Sequence, residues 1–457
     1  MTLSTNILSL SGQNTATSNP SSHQILKMRT ATYILFLAYL SSLMLISCQK
    51  DNRVEREGII DIEKAISANK FSIHSLSDYA SEIRYVRLET LDNALIGNRI
   101  RKMHLEDNKL FVHHCSAPYV KVFDAHTGKF LHTIGGRGQG PGELAYLTFV
   151  DINVQNQRVL LSWSGGVGIG NEFDFYGNFI GRIHPPSLNY RESFYHIVML
   201  CENLFAGNIQ QAHRDAQENA VVVFNRDGKV INVLKSYNDP ILHPVFITWC
   251  PSVQGGIFYR SGNDVMFYRA ITDTIYVFNR DKKNFVSHFP IHFGRHQDPH
   301  DWTNPRAPRP PHLILIKIGG MGRDNNIIAE SSRFIFFDFA MFRNAPEPFE
   351  DSFIREGQVV NFTNQDVYGI FDKQNHTLEF LLQPIPGVRG LKNDLDGGIP
   401  FFPKTVSSTG KMLDWHQAYR FIELAEKLPN PNESFLQVLR SIDEDDNPIV
   451  VIVTPKE

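Results

Sequence analysis

The feature that most constrains this chain is a strand–turn–strand unit that returns about every fifty residues. The clearest copies are Tyr119–Leu131, Asn171–Ile180, Val221–Ile231, Thr274–Asp281 and Val367–Leu378, each an apolar run, a polar turn and a second apolar run. Aligned on the aromatic at the turn, they give Phe123, Phe175, Phe224, Phe278 and Phe371, with separations of 52, 49, 54 and 93 residues. One such sheet cannot bury both of its faces alone, so the period predicts units stacked around a ring, a β-propeller. The last gap is close to twice the others and predicts a degenerate copy between, around Phe336-Phe337-Asp338. The expectation is therefore all-β, a six-bladed β-propeller with short C-terminal helices; seven blades or an array of two-sheet sandwiches are the alternatives. Ile83–Leu88 fits the first strand of the ring or the strand that closes it.

The densest glycine run, Gly135-Gly136-Arg137-Gly138-Gln139-Gly140-Pro141-Gly142-Glu143, lies between two strand-like segments. A phosphate-cradling loop would need Lys followed by Ser or Thr, or a third glycine where Pro141 stands, and a helix afterwards. Leu147–Val150 reads as a strand instead. Gly135, Gly136, Gly138, Gly140, Pro141 and Gly142 are accordingly expected to form a structural turn between blades.

The N-terminus carries an address. Met28-Arg29 leads into an uncharged apolar core that runs to Ile46, the pattern of a secretory signal at 28–47. Leu45-Ile46-Ser47-Cys48 resembles the lipobox of bacterial lipoproteins, which makes Cys48 the expected lipid attachment point. Residues 1–27, rich in Ser, Thr and Asn, precede a better start at Met28 and are excluded from the fold. A charged tether follows over 48–70, then the ring over 71–412, then C-terminal helices and a closing strand over 413–457. Beyond Cys48, the cysteines Cys115, Cys201 and Cys250 allow at most one disulfide and lack the spacing of a zinc site. A net charge of −3 without a basic cluster argues against nucleic acid.

Near the C-terminus, Asp414 is expected to cap a helix from Trp415 to Leu428, ended by Pro429. Asn432 starts a second short helix through Arg440, and Ile449–Val453 reads as a final strand. Gly294–His312, with its prolines, reads as a long loop over one face. His292, His296 and His300, with Asp298 and Asp301, have a spacing that would stack on a helix, but Pro290 and Pro299 argue for solvated loop histidines. Asn393-Asp394-Leu395-Asp396-Gly397-Gly398 lacks the twelve-position order of a calcium loop and reads as an Asx-rich turn. Asp443-Glu444-Asp445-Asp446 reads as a solvated run. No metal site, cofactor or catalytic residue is nominated.

Three motifs, the lipobox at Cys48, the Ile134–Glu143 turn and the segment Leu391–Pro403, resemble the six-bladed β-propeller lipoproteins of Bacteroidetes, distant relatives of NHL-repeat propellers. The resemblance runs from about Cys48 to the C-terminus. It implies a propeller fold and an envelope location, lipid-anchored to the membrane and facing the periplasm or the surface, and it supplies no activity.

Two functions from different classes remain. One is a recognition module whose loop-rich face binds a glycan, a peptide or an envelope protein. The other is an extracytoplasmic hydrolase or lyase acting on polymers at the propeller channel. Acidic and His side chains converging in the channel would favour the enzyme, and an aromatic-lined face would favour glycan binding. A third reading, a structural part of an envelope assembly, would show as a broad apolar patch.

Overall fold

A computed structural model describes residues 58–97, 100–115, 117–163, 169–188, 192–211, 219–235, 256–269, 273–297, 312–317, 328–355 and 358–456. The signal segment, Cys48, Cys250, Asp298, His300 and Asp301, with most of the proline-rich loop, lie outside the described residues. None of the described helices is long and apolar enough to cross a membrane.

The chain forms six antiparallel sheets arranged as a six-bladed propeller. It begins with β1 (Ile60–Asp61), α1 (Ile62–Ser67), β2 (Phe71–Ser72) and β3 (Ala80–Arg87). Blade one follows as β4 (Ile100–Glu106), β5 (Lys109–His114), β6 (Tyr119–Asp124) and β7 (Phe130–Arg137), with the short β8 (Glu143–Leu144) on its edge. Blade two is β9 (Phe149–Asn153), β10 (Arg158–Trp163), β11 (Ile169–Asp174) and β12 (Phe179–Ile183). Blade three is β13 (Glu192–Cys201), β14 (Leu204–Gln211), β15 (Asn219–Asn225) and β16 (Val230–Lys235). Blade four is β17 (Ile257–Ser261), β18 (Asp264–Tyr268), β19 (Thr274–Asn279) and β20 (Asn284–His292).

Blade five is more elaborate. Both β21 (Leu315–Ile316) and β22 (Ile328–Glu330) pair with β23 (Phe334–Ala340). A separate hairpin of β24 (Phe349–Arg355) and β25 (Gln358–Asn364) then intervenes before β26 (Asp366–Asp372) and β27 (Thr377–Leu381) complete the sheet. Blade six is β28 (Thr405–Val406), β29 (Met412–His416) and β30 (Ile449–Pro455), completed by β3 from the other end of the chain. Between β29 and β30 lie α2 (Ala418–Ala425) and α3 (Glu433–Leu439).

Burial follows position in the blade. The middle strands β5, β10, β23 and β29 are almost continuously buried, because both sheet faces meet a neighbouring blade. The outer strands β12 and β16 are largely exposed. Clusters between neighbours, such as Phe111, Val122, Ile134, Leu161 and Phe173 between blades one and two, form the core.

The fifty-residue repeat corresponds to the third strand of each of the first five blades. Each such strand ends on an Asp or Asn whose side chain closes the turn into the fourth strand. Asp124 accepts from the backbone N–H of Thr127 (2.7 Å), Asp174 from Tyr176 (2.9 Å) and Asn225 from Lys229 (2.8 Å). Asn279 accepts from Lys282 (2.8 Å) and Asp372 from Gln374 (2.9 Å). The Thr127 N–H and hydroxyl hold the Asp124 carboxyl below its ordinary range.

Several details differ from the sequence expectation. The residue equivalent to Phe123 in blade two is Phe173, which precedes Asp174; a β-bulge at Glu172/Phe173 shifts the register. Phe336-Phe337-Asp338 is no separate blade but β23, the second strand of blade five. The wide gap before Phe371 reflects the inserted hairpin and the long connection before it. The sixth blade is instead the C-terminal one, and Ile83–Leu88 is its closing strand, as β3. Asp414 caps no helix: it sits buried in β29, 2.8 Å from Lys404 Nζ, and α2 starts at Ala418 after Gln417. The second helix starts after Asn432, and Ile449 opens β30.

The N-terminal segment also straps the outside of the ring. β1 pairs parallel with β20 on blade four, β2 pairs parallel with β27 on blade five, and β3 becomes the outer strand of blade six. These pairings cover edges that would otherwise be open templates for aggregation.

Gly128 has φ +74 and faces the carbonyl of Arg87 in the tight approach of blade one to β3, so an added methyl collides with backbone. Gly128→Ala is expected to cost about 1–3 kcal/mol in urea unfolding, as overpacking does. Gly181→Ala, which meets nothing within 4 Å, should stay within about 0.5 kcal/mol of the parent.

Candidate functional site

The first strands β4, β9, β13, β17, β22 and β28 touch one another in sequence around the ring and line its central channel. Their side chains bring chemistry-bearing groups from separate blades together. Arg260 (β17) donates from Nε to Asp151 Oδ1 at 2.8 Å and from Nη2 to Asp151 Oδ2 at 2.9 Å. The same Nη2 reaches the Met199 carbonyl at 2.7 Å, and Asp151 accepts from the Met199 N–H at 2.8 Å. This fork ties blades two, three and four together across the channel wall. Glu106, at the end of β4, is held by the Ser408 N–H at 2.9 Å and by the Ser408 hydroxyl, and burial raises its carboxyl. Glu330 (β22) accepts from Lys373 Nζ and from the Tyr259 hydroxyl, each at 3.0 Å.

Three polar groups in the same region are differently placed. His196 (β13) lies flat on Phe149, with ring centroids 4.1 Å apart and 16° between planes, and meets Phe258 edge-on. Neither of its ring nitrogens has a hydrogen-bond partner among the described residues, and neither has Nε2 of His104 (β4). Burial pushes the His196 imidazole down to about 3 and His104 well below its ordinary value, so both are neutral at pH 7. Lys102 (β4) makes no hydrogen bond or ion pair among the described residues. Burial pushes its ammonium down to about 8 against the opposing pull of Asp151.

The two rims of the ring differ. First strands return to second strands through short turns at 107–108, 154–157, 202–203 and 262–263. The opposite rim, where the first strands begin, receives the connections 382–404 and 417–448. On this rim Tyr146, 64% exposed, leads into β9 and lies 6.1 Å from Trp163 at the end of β10. Phe149 meets Tyr195 edge-on at 4.9 Å. Two separate aromatic pairs thus stand at this rim, and only the second, through Phe149, reaches His196.

The residues singled out from sequence occupy other places. Gly135 and Gly142 adopt positive φ, and Gly136 and Arg137 pair in parallel with Glu143 and Leu144. The Glu143 carboxylate curls back to accept from the Gly140 N–H at 2.8 Å and fills the space a side chain on Gly138 would need. Asn171 of blade two donates to the Glu143 carbonyl at 3.1 Å, so the run links blades one and two. His292 lies 3.2 Å from Asp61, whereas His296 is buried with Nδ1 2.8 Å from the His312 carbonyl. They do not converge on one point. Asn393 donates to Asp396 at 2.7 Å and to the Tyr85 hydroxyl at 3.1 Å, while Asp394 accepts from the Ser77 N–H and hydroxyl. That Asx-rich segment lies between blades five and six. Asp446 of the acidic run meets Arg87 at 3.5 Å. Cys115 and Cys201 are free thiols.

Sequence reasoning missed Lys102, His104, Asp151, His196 and Arg260. Each is a lone polar residue in an inner strand, and only the alternation of polar with apolar residues in Arg101–Glu106 hints at a lined channel.

The sequence matches a family described as a domain of unknown function, DUF4934, over residues 57–454. None of the curated proteins matches it. Among solved structures, a Bacteroides fragilis protein provisionally described as exported is 15% identical, with a TM-score of 0.57, covering 87% of this chain and all of that one. A DUF4221-family protein of Bacteroides vulgatus is 11% identical, with a TM-score of 0.43, covering 82% of this chain and 97% of that one. These similarities concern the fold.

Two outcomes follow from the channel wall. Arg260→Met leaves Asp151 buried without its counter-charge and should cost about 3 kcal/mol or more in urea unfolding, part of which Asp151→Leu restores in the double variant. His113, buried in β5 and without a hydrogen-bond partner among the described residues, is pushed down to about 3 by burial. The unfolded chain therefore takes up a proton below about pH 6.5 that the folded chain refuses, and stability present above that pH is lost as pH falls. In His113→Leu the loss between pH 7 and 5 should be smaller by about 2 kcal/mol, measured by unfolding at each pH.

Proposed function

The chain belongs to the DUF4934 family of domains of unknown function, and from that premise we propose that it is an envelope-anchored recognition propeller that holds a glycan at the mouth of its channel. The observation that carries this reading is the pair of aromatic clusters at one rim, Tyr146–Trp163 and Phe149–Tyr195, the second stacked on His196 among polar channel groups from separate blades. A sugar offers apolar C–H faces and a rim of hydroxyls, which such a surface matches with ring stacking and directed hydrogen bonds.

The alternative, a hydrolase or lyase, is favoured by His196 meeting Asp151 and His104 in the channel, but proton transfer by a carboxylate needs one that is free. Asp151 is committed to Arg260 and the Met199 N–H, and Glu106 to Ser408. Binding is therefore the favoured reading over turnover.

The apolar signal and Leu45-Ile46-Ser47-Cys48 support export and lipid attachment at Cys48, with the outer membrane as the membrane served. The provisional description of the Bacteroides fragilis neighbour as exported supports the same compartment. The glycine-rich turn and the Leu391–Pro403 segment support descent from the Bacteroidetes lipoprotein propellers, with NHL-type repeats as more distant kin.

In a thermal-unfolding screen against oligosaccharides, peptides and divalent metals, a glycan at 100 times its dissociation constant should stabilise by about 2.7 kcal/mol. Tyr146→Ala and Trp163→Ala should remove that shift while leaving the ligand-free transition in place. A shift with peptides alone would replace the glycan reading. Cys48→Ala should move the protein from the membrane to the soluble fraction on cell fractionation; retention in the membrane would refute the lipid anchor.

A further inference from the structure

We infer that the channel beneath the aromatic mouth is built for a carboxylate, held by Lys102, His104 and His196, so that the glycan recognised is an acidic one carrying uronic-acid units. This assignment rests on the glycan reading above and specifies its substrate class.

Charge bookkeeping in the channel comes first. Arg260 and Asp151 form a two-pronged ion pair and neutralise each other. Glu106 has its oxygens taken by Ser408. Lys102, part-buried on the inner strand of blade one, is left as the cation without a direct partner among the described residues. A buried cation is costly unless paired, and a single negative charge satisfies it. Asp151 and Glu106 nearby disfavour a second negative charge in the same space, which selects a monoanion over a phosphate monoester.

The imidazoles supply direction. His196 is only 7% exposed, and Phe149 fixes its ring plane, yet both ring nitrogens lack partners among the described residues. A buried polar group of this kind is costly unless something hydrogen-bonds it. A neutral imidazole offers one N–H donor and one acceptor. His196 can therefore donate to a carboxylate oxygen and accept from a sugar hydroxyl, and His104 Nε2, equally unpartnered, can do one or the other from blade one, according to its tautomer. The sugar face would lie against Phe149 and Tyr195, at the end of blade two where Tyr146 and Trp163 also stand.

The arrangement also fixes a pH dependence. The charged and titratable groups facing Lys102 are His104 on its own strand, Asp151 on β9 and His196 on β13. Asp151 favours the ammonium, and burial opposes it. Affinity for an acidic sugar should be full while Lys102 is protonated and fall as pH rises through and beyond about 8. Affinity for a neutral sugar should stay flat.

The test is calorimetric titration of the full chain with tri-galacturonate and tri-glucuronate, with the matched neutral galactose and glucose oligosaccharides, and with a sulfated galactose oligosaccharide. The expected result at pH 7 is a preference for the uronates of about tenfold or more, the scale of one charge-assisted contact. The preference should shrink above pH 9, vanish in Lys102→Met, persist in Lys102→Arg and weaken in His196→Phe, with circular dichroism confirming that each variant folds. Equal binding of acidic and neutral sugars, or an undiminished preference in Lys102→Met, overturns the carboxylate assignment and leaves glycan recognition standing. Tighter binding of the sulfated sugar overturns the choice of carboxylate. Binding of none of the sugars overturns the glycan reading itself.

Discussion

The pairing of β3 with β30 joins residues near opposite ends of the chain, from Ala80 against Pro455 to Arg87 against Ile449. Every blade packs its faces on two neighbours, so a ring left open would expose the buried faces at the gap. The contact order of this closure is the largest the chain allows, and its entropy cost is met only when all six blades are in place. The Leu391–Pro403 segment acts as a clasp for it. Asn393 and Asp396 hold the Tyr85 hydroxyl, and Phe421 and Phe435 of α2 and α3 pack edge-on against the Tyr85 ring. Asp394 and the backbone of Lys392 fix the strand approach at Ser77 and Leu76. A motif that reads as a turn is thus part of the lock on the ring, and the two C-terminal helices are its backing.

The channel shows the opposite economy. Packing between blades is apolar, but the ring of first strands meets no further layer on its inner side, and polar groups collect there. Some are satisfied within the wall, as Asp151 is by Arg260 and Glu330 by Lys373 and Tyr259. Others, Lys102, His104 and His196, sit in the same wall with their polar atoms uncommitted among the described residues. Satisfied groups give the channel its shape, and uncommitted ones give it the capacity to recognise something. The connections 382–404 and 417–448 open onto the rim where the aromatic residues stand, the side on which the proposed binding face lies.

Much of the architecture was legible because it rests on local rules. The Asx residue that ends each third strand closes its own turn within four residues, and that local device repeats with the blade. The glycine run read as a turn between blades is partly strand: Gly135 and Gly136 lie in β7, and the residues after them lead into the short β8. Where the local rule was ambiguous the reading slipped: Phe173-Asp174-Phe175 offers two aromatics around one Asx, and strand pairing places Phe173, in the same register as Phe123 and Phe224, before it. Asp414 before a helical run satisfies the capping rule, but pairing with Val451 and an ion pair with Lys404 hold it in a strand.

The repeat and the all-β class could be read from the chain alone, because periodicity and turn chemistry are properties of residues near one another in sequence; the count of six came from a copy at Phe336–Asp338 that proved to be a strand of blade five. Tertiary structure alone decided which strand closed the ring, where the sixth blade lay and which residues met in the channel. Lys102, Asp151, His196 and Arg260 lie on four blades and become neighbours only when the ring closes. Their meeting is a consequence of geometry around a central axis, and no local pattern in the chain encodes that axis.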